Sequence, residues 1–141
     1  MSNWKPYELC FMFLLGCFVY SFLEIACRGY THWTMTLTGG IVAVFLFLLH
    51  LNSPPKSLFF ECFCRAMGIT AVEMTLGTIV NIKLGWNVWD YSDMLLNLFG
   101  QICLPFSVLW FCLCFPAFAI CHLVHHRFTS AAPISNPVQR F

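Results

Sequence analysis

Four long apolar runs alternate with short polar breaks along this chain. They cover residues 7–27, 34–51, 57–82 and 94–122. Each is close to or above the ~20 residues that cross a hydrocarbon core. The breaks carry turn chemistry: Arg28 to Trp33 around Gly29, then Asn52-Ser53-Pro54-Pro55-Lys56, then a Trp-rich turn over 83–93. The pattern predicts an all-α polytopic membrane protein, with four transmembrane helices in an antiparallel bundle. Residues 1–127 make one transmembrane domain. Residues 128–141, mostly Pro, Ser and Ala, make a flexible tail. Ser92 or Asp93 is the expected cap of the fourth helix. Pro105 and Pro116 are expected to kink it, with Pro105 freeing the carbonyl of Gln101.

The polar positions inside these runs are few. Asn97, Gly100, Gln101, Leu104, Ser107 and Phe111 recur at three- and four-residue steps, which share one face of a helix. Lipid offers an amide no hydrogen-bond partner, so that face is expected to point into protein or water. Two carboxylates stand out, Glu24 and Glu73. A charge at a helix centre costs about 2.5–3.5 kcal/mol even on the lenient insertion scale. Their neighbours support inward faces: Gly16, Cys17, Tyr20 and Arg28 share a stripe with Glu24, and Ala66, Thr70, Gly77 and Asn81 share one with Glu73. Glycine and alanine there let backbones approach closely. Glu24 and Glu73 are expected to meet the Asp90 turn in one polar pocket. Three roles are open: a structural lock, with Glu24 on Arg28 and Glu73 on Asn97 or Gln101; a site for a substrate, ion or proton; or a contact between copies.

Composition agrees with the pattern. The chain is 60% hydrophobic and only 9% charged, with a mean hydropathy of +0.77. A soluble domain carries about 25% charge. The net charge of +1 gives no electrostatic case for nucleic acid. Seven Lys and Arg residues set the orientation. Lys5, Lys56, Arg65, Arg127 and Arg140 fall on one side of the four spans, and Arg28 and Lys83 on the other. The positive-inside rule puts both termini in the cytoplasm and the Trp-Asp-Tyr-Ser turn outside, with Trp86, Trp89 and Tyr91 in the aromatic belt. A signal peptide is disfavoured, because Glu24 stands three residues before Cys27, where a lipoprotein cleavage site needs a large apolar residue.

The nine cysteines all lie in or beside apolar runs, and the sequence has no C-x-x-C. They read as small apolar fillers. Cys121, His122, His125 and His126 have metal-ligand character, but a cytoplasmic helix end also welcomes positive charge there. No metal or cofactor is expected. Glu61 and Arg65 read as an interfacial ion pair; His32 and His50 carry no spacing signal. No P-loop or nucleophile elbow occurs, so an enzyme is not expected.

Trp89-Asp90-Tyr91-Ser92, followed by Asn97, Gly100, Leu104, Ser107 and Trp110, and preceded by the acid of the third span, carries a resemblance. So does Glu24 followed by Arg28-Gly29. The chain resembles the small four-helix membrane proteins of bacteria labelled Putative ABC-transporter type IV, or CmpB-like permeases. The likeness covers most of residues 7–122. It departs at Thr36-Leu37-Thr38-Gly39-Gly40, where many members have a Pro-Ile-Tyr-Gly type of sequence. The resemblance implies a permease in a cell membrane, the inner membrane of a bacterium. Two functions follow as expectations. One is a transporter or channel component, working as a homo-oligomer in the bilayer on a small ion or cationic substrate. Its pocket would use Glu24, Arg28, Glu73, Asp90, Tyr91, Asn97 and Gln101. The other is a non-transporting scaffold or lipid- or partner-binding protein whose buried polar residues are structural.

Overall fold

The computed structural model describes residues 5–52 and 57–130. The second break, 53–56, and most of the expected tail, 131–141, lie outside them. The described chain forms four long helices and no strand: α1 Pro6–Arg28, α2 Trp33–Asn52, α3 Leu58–Gly77 and α4 Leu104–Ser130. All four are long and apolar enough to cross a membrane. Phe128, Thr129 and Ser130, expected in the tail, continue α4.

Local chemistry explains most of the ends. Proline opens α1, where its missing N–H costs nothing. Gly29 closes α1 at φ 80°, and its N–H bonds the carbonyl of Ile25. At its far end α3 widens into a π-helical extension, Thr78–Lys83, in which Leu84 N–H reaches back five residues to Ile79. Such insertions rotate the side chains beyond them and recur at functional sites.

Helices α1 and α2 make the closest contact. Gly16 and Gly39 face each other across it. A Cβ on Gly16 would strike Ala43 Cβ and the Gly39 carbonyl oxygen, and one on Gly39 would strike Tyr20 Cβ. Only glycine permits that approach. The buried stripe of α3 is Cys62, Arg65, Ala66, Ile69, Glu73 and Gly77. It meets α4, and the apolar core of the four helices gathers around Phe47, Cys62, Ile69, Cys114 and Cys121. All nine cysteines are free thiols, and Cys62, Cys103, Cys114 and Cys121 are buried as fillers.

The fourth span differs from its expected course. Residues 94–103 are not helical, and α4 starts at Leu104. Leu96, Phe99 and Gly100 hold φ of 51°, 53° and 68°, which an α-helix does not allow. Pro105 therefore lies in the first turn of α4 and kinks nothing. Pro116 is the proline inside the helix. Ser92 and Asp93 are twelve and eleven residues ahead of Leu104 and cap no helix.

Segment 84–103 is instead a closed knot folded back over the bundle. A Cβ on Gly77 would fall 2.5 Å from Gln101 Oε1 and 3.0 Å from the Trp89 ring. Gly77 lies six residues before Lys83, more than a full turn back along the helix. The knot thus folds back against the end of α3 at Gly77. Its backbone is largely satisfied from within. Tyr91 N–H bonds Gly100 O, Leu98 N–H bonds Ile102 O and Leu104 N–H bonds Leu95 O. Backbone outside helices and strands is stable away from water only on such terms.

Candidate functional site

Two acids lie at this end of the bundle, in separate surroundings. Glu24 is 8% exposed, one turn before Arg28 on α1. Arg28 Nη1 donates to Glu24 Oε1 at 2.7 Å. Thr31 Oγ1 donates to Oε2. The same guanidinium donates to the Val88 carbonyl at 2.7 Å and to Tyr30 Oη at 2.9 Å. The network continues into the knot. Val88 N–H donates to Asn81 Oδ1 at 2.7 Å, and Asn81 Nδ2 donates to Gln101 Oε1 at 2.9 Å. Gln101 Nε2 then donates to Phe99 O, and Gln101 O accepts from Trp89 Nε1 at 3.0 Å. Every donor and acceptor named finds a partner, so α1, the π-helical extension and the knot are tied together.

Glu73 is 6% exposed and differs in charge balance. Tyr91 Oη donates to Oε1 at 3.2 Å and Trp110 Nε1 donates to Oε2 at 3.0 Å. Both donors are neutral. Among the described residues no Lys, Arg or His forms an ion pair with Glu73. Tyr91 also stacks on Phe106, with centroids 4.6 Å apart.

Glu73 is among the residues that line a small, almost wholly apolar cavity of about 30 Å³. Tyr20 of α1, Met35, Thr38 and Val42 of α2, Ile69, Val72 and Leu76 of α3, Trp110 of α4 and Trp89 of the knot complete its wall. Tyr20 and Trp110 stack with centroids 5.9 Å apart. The volume exceeds the roughly 10–15 Å³ a cavity needs to admit a water.

The seven residues expected in one pocket are not gathered in one. Glu73 alone of them lines the cavity. Glu73 bonds neither Asn97 nor Gln101, because those residues never form the expected helical face. Asn97 is exposed and ties its own turn, donating to Ser92 O and Met94 O. Asp90 is exposed as well, and its Oδ1 accepts from the Ser92 N–H and hydroxyl, which holds its carboxyl below the usual carboxylate range. Gln101 is buried as expected, but its carbonyl is taken by Trp89 and no proline frees it. Of the expected aromatic belt, Trp86 is exposed beside Trp33 and His32, whereas Trp89 is buried and Tyr91 half-buried. Trp110 and Tyr20 are wall residues that the sequence flagged only as members of stripes or of the resemblance. Glu61 and Arg65 do pair, at 2.8 Å, but Arg65 is only 3% exposed. Among the described residues no three His, Cys, Asp or Glu side chains are placed to share a metal ion.

The family described as Putative ABC-transporter type IV matches residues 11–138. No curated protein and no solved structure matches the chain.

Proposed function

Because the chain belongs to the Putative ABC-transporter type IV family, we propose that it is a membrane-embedded transporter component whose site is the Glu73 cavity. The observation that carries this reading is the unbalanced carboxylate. A buried acid held by two neutral donors, with an aromatic-walled space before it, is a place for a proton or a small monovalent cation. The cavity meets all four helices and the knot, so filling it would bear on each of them. A homo-oligomer in the bilayer is part of the proposal, since four helices enclose little volume. Catalysis and nucleic acid have no place in it. The proposed location is a cell membrane, in a bacterium the inner one, where helical spans rather than closed barrels are the rule.

Glu73→Gln tests it. Glutamine keeps the shape and can still accept from Trp110, but it removes the charge. In nanodiscs the wild type is expected to gain thermal stability with at least one of sodium, potassium and ammonium. The variant is expected to lose at least tenfold in affinity for that ion, about 1.4 kcal/mol. A variant that responds like the wild type would sink the site.

A second reading has its own support. Glu24 is fully paired, so that half of the polar core is a lock whatever Glu73 does. If no cation binds and Glu73→Gln only lowers stability, the chain is a scaffold with a structural polar core.

We also propose that both termini face the cytoplasm, from five Lys and Arg residues against two. Single cysteines at Ser57 and Asn87, both exposed, would be placed in a cysteine-free background. An impermeant reagent added outside is expected to label position 87 and spare 57. The opposite result reverses the topology.

A further inference from the structure

The far end of the bundle holds a cluster that the Glu73 reading does not use. Among the described residues three buried side-chain polar atoms have no hydrogen-bond partner: Glu8 Oε2, His50 Nδ1 and His125 Nδ1. They come from α1, α2 and α4 and all lie at this one end. Glu8 is 1% exposed. The buried Nδ1 of His125 stands 3.7 Å from Glu8 Oε2, near enough to face it and too far for a hydrogen bond.

The nearby cations are committed elsewhere. Arg65 pairs with Glu61 at 2.8 Å and lies over the Phe118 ring at 4.8 Å. Lys5 sits over the Tyr7 ring, and its charge acts on Glu8 without forming an ion pair with it. His50 meets Phe118 edge-on at 4.9 Å and His122 at 5.9 Å, and its electrostatic neighbours are Arg65, His122, His125 and Glu61. Among the described residues His125 is thus the one group within 4 Å that can give Glu8 a positive partner.

We propose that Glu8 and His125 form a proton-binding site that fastens α1 to α4. The ring of His125 is 38% exposed although its Nδ1 is buried. Its other nitrogen can therefore take a proton from water while Nδ1–H turns to Glu8. One proton taken up converts two unpartnered atoms into a charge-assisted hydrogen bond. One proton released leaves a buried carboxylate facing a neutral ring, and the contact weakens. At this end Tyr7 and Phe11 pack on Phe128 with centroids 5.3 and 5.5 Å away. Glu8 and His125 are the polar part of that seam. The site lies sixteen residues from Glu24 along α1, about 24 Å, so it is distinct from the polar core at the other end.

The test is a double-mutant cycle on the full chain in nanodiscs with a chelator present. The thermal midpoint is followed against pH for the wild type, Glu8→Gln, His125→Gln and the double variant. Each single variant is expected to remove the same pH-dependent shift, and the double variant to remove no more. Additive shifts, or a wild-type pH profile in either single variant, overturn the proposal. A pH profile that needs added zinc also overturns it, in favour of a metal. Should a glutamine variant fail to fold, a ¹⁵N NMR titration of the His125 ring in the wild type against Glu8→Asp reads the same proton. An unaltered His125 titration there overturns the proposal too.

Discussion

Gly39→Leu is expected to break the contact between α1 and α2 and give the largest loss of stability of any single change in the half of the bundle that holds Glu24 and Glu73. The atoms that meet a Cβ there cannot swing aside. One is Tyr20 Cβ, fixed to its backbone, and another is the Gly16 carbonyl oxygen. Relief requires the helices to move apart. The expected cost is at or above the top of the roughly 1–3 kcal/mol seen for overpacked cores. Gly68→Ala is the control. Its added carbon meets only the outer edge of the Phe45 ring, at 2.9 and 3.1 Å, and that ring can shift. Thermal unfolding in nanodiscs should rank Gly39→Leu well below Gly68→Ala. Equal midpoints would mean that α1 and α2 are free to separate without cost. A further effect is expected at the cavity, because Tyr20 stacks on Trp110, and Trp110 bonds Glu73.

Three of the four helices were legible in the apolar runs, since their ends carry signals with known mechanisms: Pro6, Gly29 and the break after Asn52. The pairing of Glu24 with Arg28 was legible too, from a spacing of four residues. The knot was not. Asn97 and Gln101 stand four apart, which fits a helix as well as it fits two unrelated turns. What decides between them is positive φ at Leu96 and Phe99, and large apolar residues give no hint of that conformation. Two signals did point the right way. Asp90 and Asn97 are residues that bond their own backbone in turns, and both do so here. Pro105 suits a first helical turn better than a helix centre. Glu8 was hidden for another reason. It sits so near the start of its span that it reads as part of a polar edge. Its place in the series Glu8, Met12, Gly16, Tyr20, Glu24, Arg28 shows that it shares the inward stripe of α1.

Arg28→Gln is the second large effect, and it separates a lock from a surface ion pair. Glu24 is only 7% exposed at its side chain, so losing its partner leaves a charge in a poorly solvated place. Breaking a buried pair in this way costs about 3–5 kcal/mol, and the 29% exposure of Arg28 moves the expectation toward about 2–4 kcal/mol. The guanidinium also holds the Val88 carbonyl, so the knot should loosen with it. Arg28→Lys should fall between, because one ammonium cannot span Glu24, Tyr30 and Val88 in the same planar fork. Glu24→Gln alone should cost less, since it leaves a neutral amide that Arg28 and Thr31 can still approach. Adding Glu24→Gln to Arg28→Gln should recover part of the loss, as removing the stranded charge removes its desolvation penalty. Midpoints measured for the four proteins give the coupling directly. A loss below about 1 kcal/mol for Arg28→Gln, the range of exposed pairs, would mean that water reaches Glu24 freely. The knot would then be held by Asn81 and Gln101 rather than by charge.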